Sequence, residues 1–225
     1  KDPAKKRPAA GSSAPAPPPP PSSKEPEKEP LDESELRAAY EQSLRAKDHL
    51  AQVGQGLLSY HQRRGHFPPQ AMQSTTGVPL LSWRVAILPQ IGEDELYRKF
   101  RTDEPWDSAH NLALADQIPE IYAFPGGENK TPLLLAVGPM TAYADKTKPP
   151  TIADFTDGTS TTALIAEVND KKAVLWTKPD DLNYIPASPK SGLGSARREG
   201  FFCLMADGNV RLLGSAIPEA SLRAL

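Results

Sequence analysis

The chain has 225 residues with 26 basic and 28 acidic side chains, a net charge of −2, and 38% hydrophobic residues. That balance gives no electrostatic footprint for nucleic acid, and a mean hydropathy of −0.49 with no apolar run near 20 residues argues against a membrane-spanning helix. A single cysteine, Cys203, excludes an internal disulfide and a multi-cysteine zinc site.

Residues 1–30 are set apart by ten prolines, at 3, 8, 15, 17–21, 26 and 30, among Ala, Ser, Lys and Glu. With almost nothing to bury, this segment cannot offset its ordering entropy and is expected to be a disordered Pro-rich linker. Fully extended as polyproline II it would reach on the order of 90 Å. The chain begins at Lys1, not Met, so a leader or anchor upstream is compatible with it.

Residues 31–64 read as one long helix, roughly 50 Å from end to end. Asp32 or Ser34 can cap it, and Glu33 and Glu35 suit its positive end. Leu36, Tyr40, Leu44, Ala46, Leu50, Val53, Leu57 and Tyr60 recur at three- and four-residue steps, which predicts a stripe facing a core. Gly54 and Gly56 interrupt that pattern as close-packing positions, Gly65 ends the helix, and Pro68-Pro69 blocks its continuation.

Residues 65–125 read as a helix and loop region. Trp83, Val85, Ile87 and Leu88 form an apolar run closed by Pro89; short helices are expected over 93–100 and 111–118. From 126 to 225 the pattern is mainly that of an antiparallel sheet. Strands are expected over 133–137, 162–168, 173–176, 201–206 and 209–213, the last two joined by Asp207-Gly208, the strongest local hairpin signal present. Residues 218–225 form a short amphipathic tail. The fold class is α+β, with a long N-terminal helix packed on an antiparallel sheet and short extra helices; 31–225 form a single domain.

Few residues offer chemistry. His61 and His66 do not share a helical face, so they make no metal pair. Asp107 and His110 can hydrogen-bond, but no nucleophile-elbow motif accompanies them, and a capped turn with Trp106 anchored in the core accounts for both. Asp154, Asp157-Gly158 and Asp207-Gly208 are turn residues that lack the spaced oxygens of a calcium loop. Glu167 sits in a strand whose alternation places it toward solvent, with a buried acid as the alternative. Cys203, in an apolar run, reads as a buried hydrophobe. Trp176 is either core or part of a stacking surface.

Motifs in fixed order carry a resemblance. They are Leu50-x-Gln52-x-Gly54-x-Gly56-Leu57-x-x-Tyr60-His61 ending in Gly65-x-Phe67-Pro68-Pro69; Leu80-Leu81-Ser82-Trp83-Arg84-Val85-x-Ile87-Leu88-Pro89; and Glu95-Leu96-Tyr97. Glu104-Pro105-Trp106-Asp107-Ser108-x-His110-Asn111, Asp157-Gly158-Thr159-Ser160, Glu167, Trp176 through Leu182, and Ala206-Asp207-Gly208-Asn209-Val210-Arg211 follow. Over roughly 44–225 the chain resembles the bacterial domain-of-unknown-function 1559 family, which is associated with prepilin-type leaders and a His-x9-Asp-Gly signature. The resemblance implies a type IV pilin or pseudopilin-like fold. Two features depart from it: Arg197 stands where the signature has His, and the Pro-rich segment stands where a pilin helix has its apolar first half.

The expected function is therefore a non-catalytic, extracytoplasmic structural or interaction domain, tethered by the Pro-rich linker at the periplasm or cell surface. No cofactor or metal is expected. Its partners would be proteins or other cell-envelope components, with a glycan possible and contact with a membrane only through an upstream anchor. The alternative is a carbohydrate or small-solute binding domain using Trp83, Trp106, Trp176 and Tyr184, with Trp106, Asp107, His110 and Trp176 as candidate binding residues. An enzyme built on Asp107 and His110 is the remaining reading.

Overall fold

The computed structural model describes residues 32–145, 148–194, 197 and 199–225. The Pro-rich stretch expected as a disordered linker lies outside the described residues.

Helix α1, Glu33–Arg64, begins with a complete capping box: the Asp32 carboxylate accepts from the Glu35 N–H, and the Glu35 carboxylate accepts from the Asp32 N–H. It ends at Gly65 in the left-handed conformation, φ 80°, whose N–H donates to the His61 carbonyl. Only its second half is buried: Leu50, Val53, Gly54, Gly56 and Leu57 are enclosed. The expectation that the whole stripe faces the core is corrected for Leu36, Tyr40 and Leu44, which are 55%, 66% and 43% exposed. Ala46 is the first of its apolar side chains that packs against the core.

After α1 comes a two-stranded antiparallel hairpin, β1 (Ala71–Gln73) and β2 (Pro79–Ser82), where the sequence predicts only helix and loop. Its turn uses Gly77 at φ 82°, and a bulge at Met72/Gln73 breaks the alternation that would betray the first strand. Ser82 then caps a single turn, α2 (Trp83–Ala86), through the Arg84 N–H. Helix α3 covers Asp94–Lys99, close to the expected 93–100. The helix expected over 111–118 is instead α4, Ala109–Leu112, capped by Ser108. Beyond it, Leu114, Ala115 and Gln117 donate three residues back, so the chain tightens into turns.

The sheet follows. Strands β4 (Leu133–Val137), β5 (Ala163–Glu167), β7 (Leu182–Asn183), β8 (Gly200–Met205) and β9 (Val210–Gly214) lie in the order β7-β4-β5-β8-β9. The β4–β5, β5–β8 and β8–β9 pairs are antiparallel, as expected, but β7 joins β4 in parallel. A separate antiparallel pair links β3 (Lys130–Thr131) to β6 (Val174–Leu175). The Asp207-Gly208 hairpin forms as the sequence predicts, with Gly208 at φ 86°. The amphipathic tail ends in α5, Glu219–Arg223.

Both faces of the sheet are covered. On one, Leu133, Leu135, Ile165, Phe202 and Leu204 join Leu50, Val53, Leu57 and Trp83 in the larger core. On the other, Leu134, Ala166, Phe201, Cys203 and Met205 pack with Leu182 and with Leu222 of α5. Gly54 is required where α1 meets the sheet: a Cβ there would stand 2.7 Å from Leu204 Cδ1 and 3.3 Å from the Gly208 carbonyl oxygen. Gly56 likewise lies against Ile91. Among the described residues, no helix is long and apolar enough to cross a membrane.

Candidate functional site

The motif residues fall into three places. The first is a buried nucleus. Arg84, on α2, is completely enclosed: Nε and Nη2 donate to the Leu133 carbonyl at 3.1 and 2.7 Å, and Nη1 to Ser82 Oγ at 2.8 Å. Nη2 also pairs with Asp181 Oδ1 at 2.9 Å, both side chains being fully buried. The same oxygen accepts from Trp83 Nε1–H at 3.1 Å and the Leu135 N–H at 3.0 Å. Burial pushes the Asp181 carboxyl up to about 6, against the lowering pull of Arg84, Trp83 and Leu135; burial also lowers Arg84. Each charge is therefore held by the other. Tyr122 donates to the Arg84 carbonyl and sets its ring between Trp83 and Trp176. Trp176 is enclosed too, its Nε1–H donating to the Ala115 carbonyl at 2.8 Å and its ring meeting the edge of Phe100. Trp83 and Trp176 are thus core residues, and the stacking surface considered for Trp176 is not formed.

The second place is the loop 101–111. Buried Asn111 organises it: Oδ1 accepts from the Arg101 N–H, and Nδ2 donates to the carbonyls of Arg101, Glu104 and Pro105. Trp106 is half-buried with the Lys178 ammonium over its ring, and its N–H donates to the Leu80 carbonyl. His110 Nε2 lies 2.8 Å from the Lys99 carbonyl, so the ring is tied to backbone and not to Asp107, which is exposed. The capped-turn reading of this motif is the one observed, with Ser108 as the cap.

The third place gathers the two Asp-Gly turns. The Asp207 N–H donates to the Thr159 carbonyl and the Ala206 N–H to the Thr162 carbonyl, so the turn holding Asp157 and Gly158 lies against the β8–β9 turn. Asp207 binds the N–H and side-chain amide of Asn209, closing its own turn. Gly158 sits at φ 95°, and its carbonyl accepts from Thr161 and Thr162. Leu58 of α1 packs over Gly208. These acids serve turn geometry, and among the described residues no three His, Cys, Asp or Glu side chains are grouped to hold a metal ion.

Glu167 corrects another expectation. It is buried, not turned to solvent: its carboxylate pairs with Arg197 and accepts from the Phe202 N–H. Arg197, whose guanidinium lies 4.5 Å from the Phe202 ring centroid, is the residue at the signature's His position. Cys203 is buried as expected, and its thiol is pushed up to about 12 by that burial, which removes thiolate reactivity near neutrality.

The Arg84–Asp181 pair was not read from the sequence. One signal was available, a lone arginine inside the apolar run 80–88. Its partner, 97 residues away, carried none.

Apart from these places, the first half of α1 carries large apolar side chains in water: Leu36, Tyr40 and Leu44 are exposed at four-residue steps.

No curated protein and no solved structure matches the chain. Residues 44–125, from the end of that first half through the hairpin to the Asn111 loop and Tyr122, match the model of a protein family of unknown function, DUF1559, which supports the resemblance over that region.

Proposed function

We propose that this protein is a non-catalytic interaction module of the cell envelope, in which a rigid body holds out the first half of α1 as its contact element. The observation that carries this reading is the exposure of Leu36, Tyr40 and Leu44 on a helix whose apolar anchoring to the core begins at Ala46. Large apolar side chains aligned on a projecting helix cost solubility and mark a surface to be covered. The pilin-like resemblance and the Pro-rich stretch before the helix support an extracytoplasmic, tethered setting.

The rival readings have less behind them. Stacking on sugars requires accessible rings, but Trp83 and Trp176 are enclosed and Trp106 is half-buried beneath Lys178. An enzyme built on Asp107 and His110 needs the two side chains to act together, and His110 Nε2 is tied to the Lys99 carbonyl while Asp107 is exposed.

Site-specific photocrosslinking in the native cell tests the proposal. A benzophenone side chain at position 40 is expected to give protein adducts, and one at Arg45, exposed on the other side of the helix, is not. Absence of adducts at position 40 would sink the interaction role.

A further inference from the structure

The free half of α1 has a symmetry of its own. Glu33, Leu36, Tyr40, Leu44 and Lys47 are all exposed, and their spacings of three, four, four and three residues read the same in both directions. At 100° per residue these five side chains fall within about 80° of arc. The pattern is palindromic in shape, Leu flanking Tyr on each side, and opposite in charge at its two ends.

We propose that a second copy of this chain covers this stripe, in an antiparallel pair of α1 helices related by a two-fold axis at Tyr40. The inference rests on the interaction-module reading and names its partner. In that pairing Tyr40 meets Tyr40 of the second copy, Leu36 meets Leu44, and Glu33 meets Lys47, each contact made twice as two-fold symmetry requires. A parallel pair would set Glu33 against Glu33 and Lys47 against Lys47, so charge selects the antiparallel arrangement. The helix dipoles favour it as well. Arg37 and Glu41, at the flank, pair with each other within the helix, at 3.6 Å, and are not needed across it.

Length agrees with the same arrangement. Overlap from Glu33 to Lys47 spans about 21 Å, and the second helix would begin opposite Lys47, short of Leu50, the first fully buried residue of α1. The body first meets an apolar side chain of α1 at Ala46, about 120° round the helix from Tyr40, so the paired stripe faces away from that contact. An overlap this short buries less than the roughly 1,200 Å² of standard stable complexes, so the pair is a weak, concentration-dependent dimer.

Sedimentation of the full chain from about 10 µM to about 1 mM tests this. A monomer–dimer equilibrium is expected. Glu33→Lys and Lys47→Glu alone should each weaken it at least several-fold, and the double variant should restore it. All these positions are exposed, so folding of the variants is expected to be unaffected, which circular dichroism checks. Mild oxidation adds a geometric arm: Tyr40→Cys should form a disulfide-linked dimer by itself. Leu36→Cys should do so only when mixed with Leu44→Cys. A monomer throughout the range overturns the proposal, and crosslinks to other proteins at position 40 would then still uphold the interaction module. A dimer that the double charge swap fails to restore also overturns it.

Discussion

Asp181 shows how much of this protein rests on single buried side chains. Its Oδ1 neutralises Arg84 and satisfies Trp83 Nε1–H and the Leu135 N–H together. It joins the loop after β6 to α2 and to strand β4. Removing one partner of a buried pair leaves the other charge uncompensated, typically at about 3–5 kcal/mol. Asp181→Ala should therefore lower unfolding stability by that order in a denaturant titration, far more than Asp107→Ala, which alters an exposed side chain. Equal effects would remove Asp181 from its structural role. The sequence displays both residues but not their meeting: an arginine in an apolar run signals a buried charge, while one aspartate among several in turns signals nothing. Glu167 misled for a related reason. Alternation along β5 says which side of the sheet a residue takes, but both sides are covered here, so neither choice led to water.

At the level of elements, the long helix is legible in the sequence because its ends are chemically explicit: Asp32 and Glu35 at one, Gly65 at the other. What could not be read is where its packing stops, because an apolar stripe looks the same whether its own body or another molecule covers it. The β1–β2 hairpin and β7 escaped because strands of two to four residues give periodicity too little to act on. The capping box leads to a pH prediction. The Glu35 N–H and Ser34 hydroxyl hold the Asp32 carboxyl below its ordinary value. A carboxylate with a depressed folded pKa stabilises above its unfolded value, near 3.9, and its contribution is lost as pH falls through the folded one. In a Glu35→Gln background, which leaves Asp32 as the one carboxyl of the box, amide-exchange protection at positions 35–37 should drop on acidification below about pH 4. Asp32→Asn, a cap without charge, should flatten that response; an unchanged profile would show that Asp32 does not govern the helix start.

For the whole molecule, the region that matches the family, 44–125, is less than a folding unit. Leu50, Val53, Leu57, Trp83 and Tyr122 share one core with Leu135, Ile165, Trp176 and Leu204. Cut away from the sheet, those side chains face water, at roughly 1.5–3 kcal/mol each. The isolated fragment 44–125 should lack cooperative unfolding and dispersed amide resonances, while 32–225 should show both; a folded fragment would mean the sheet is not part of its core. Gly54 and the Gly208 turn that meets it have a further consequence, in the order of synthesis. The two lie about 150 residues apart, and at roughly 5–20 residues per second a ribosome needs on the order of ten seconds or more between making one and the other. For all that time the buried half of α1 is complete in sequence but without its sheet. The apolar stripe on Leu50, Val53 and Leu57 must be shielded by a chaperone, or kept from forming until the last hairpin has emerged.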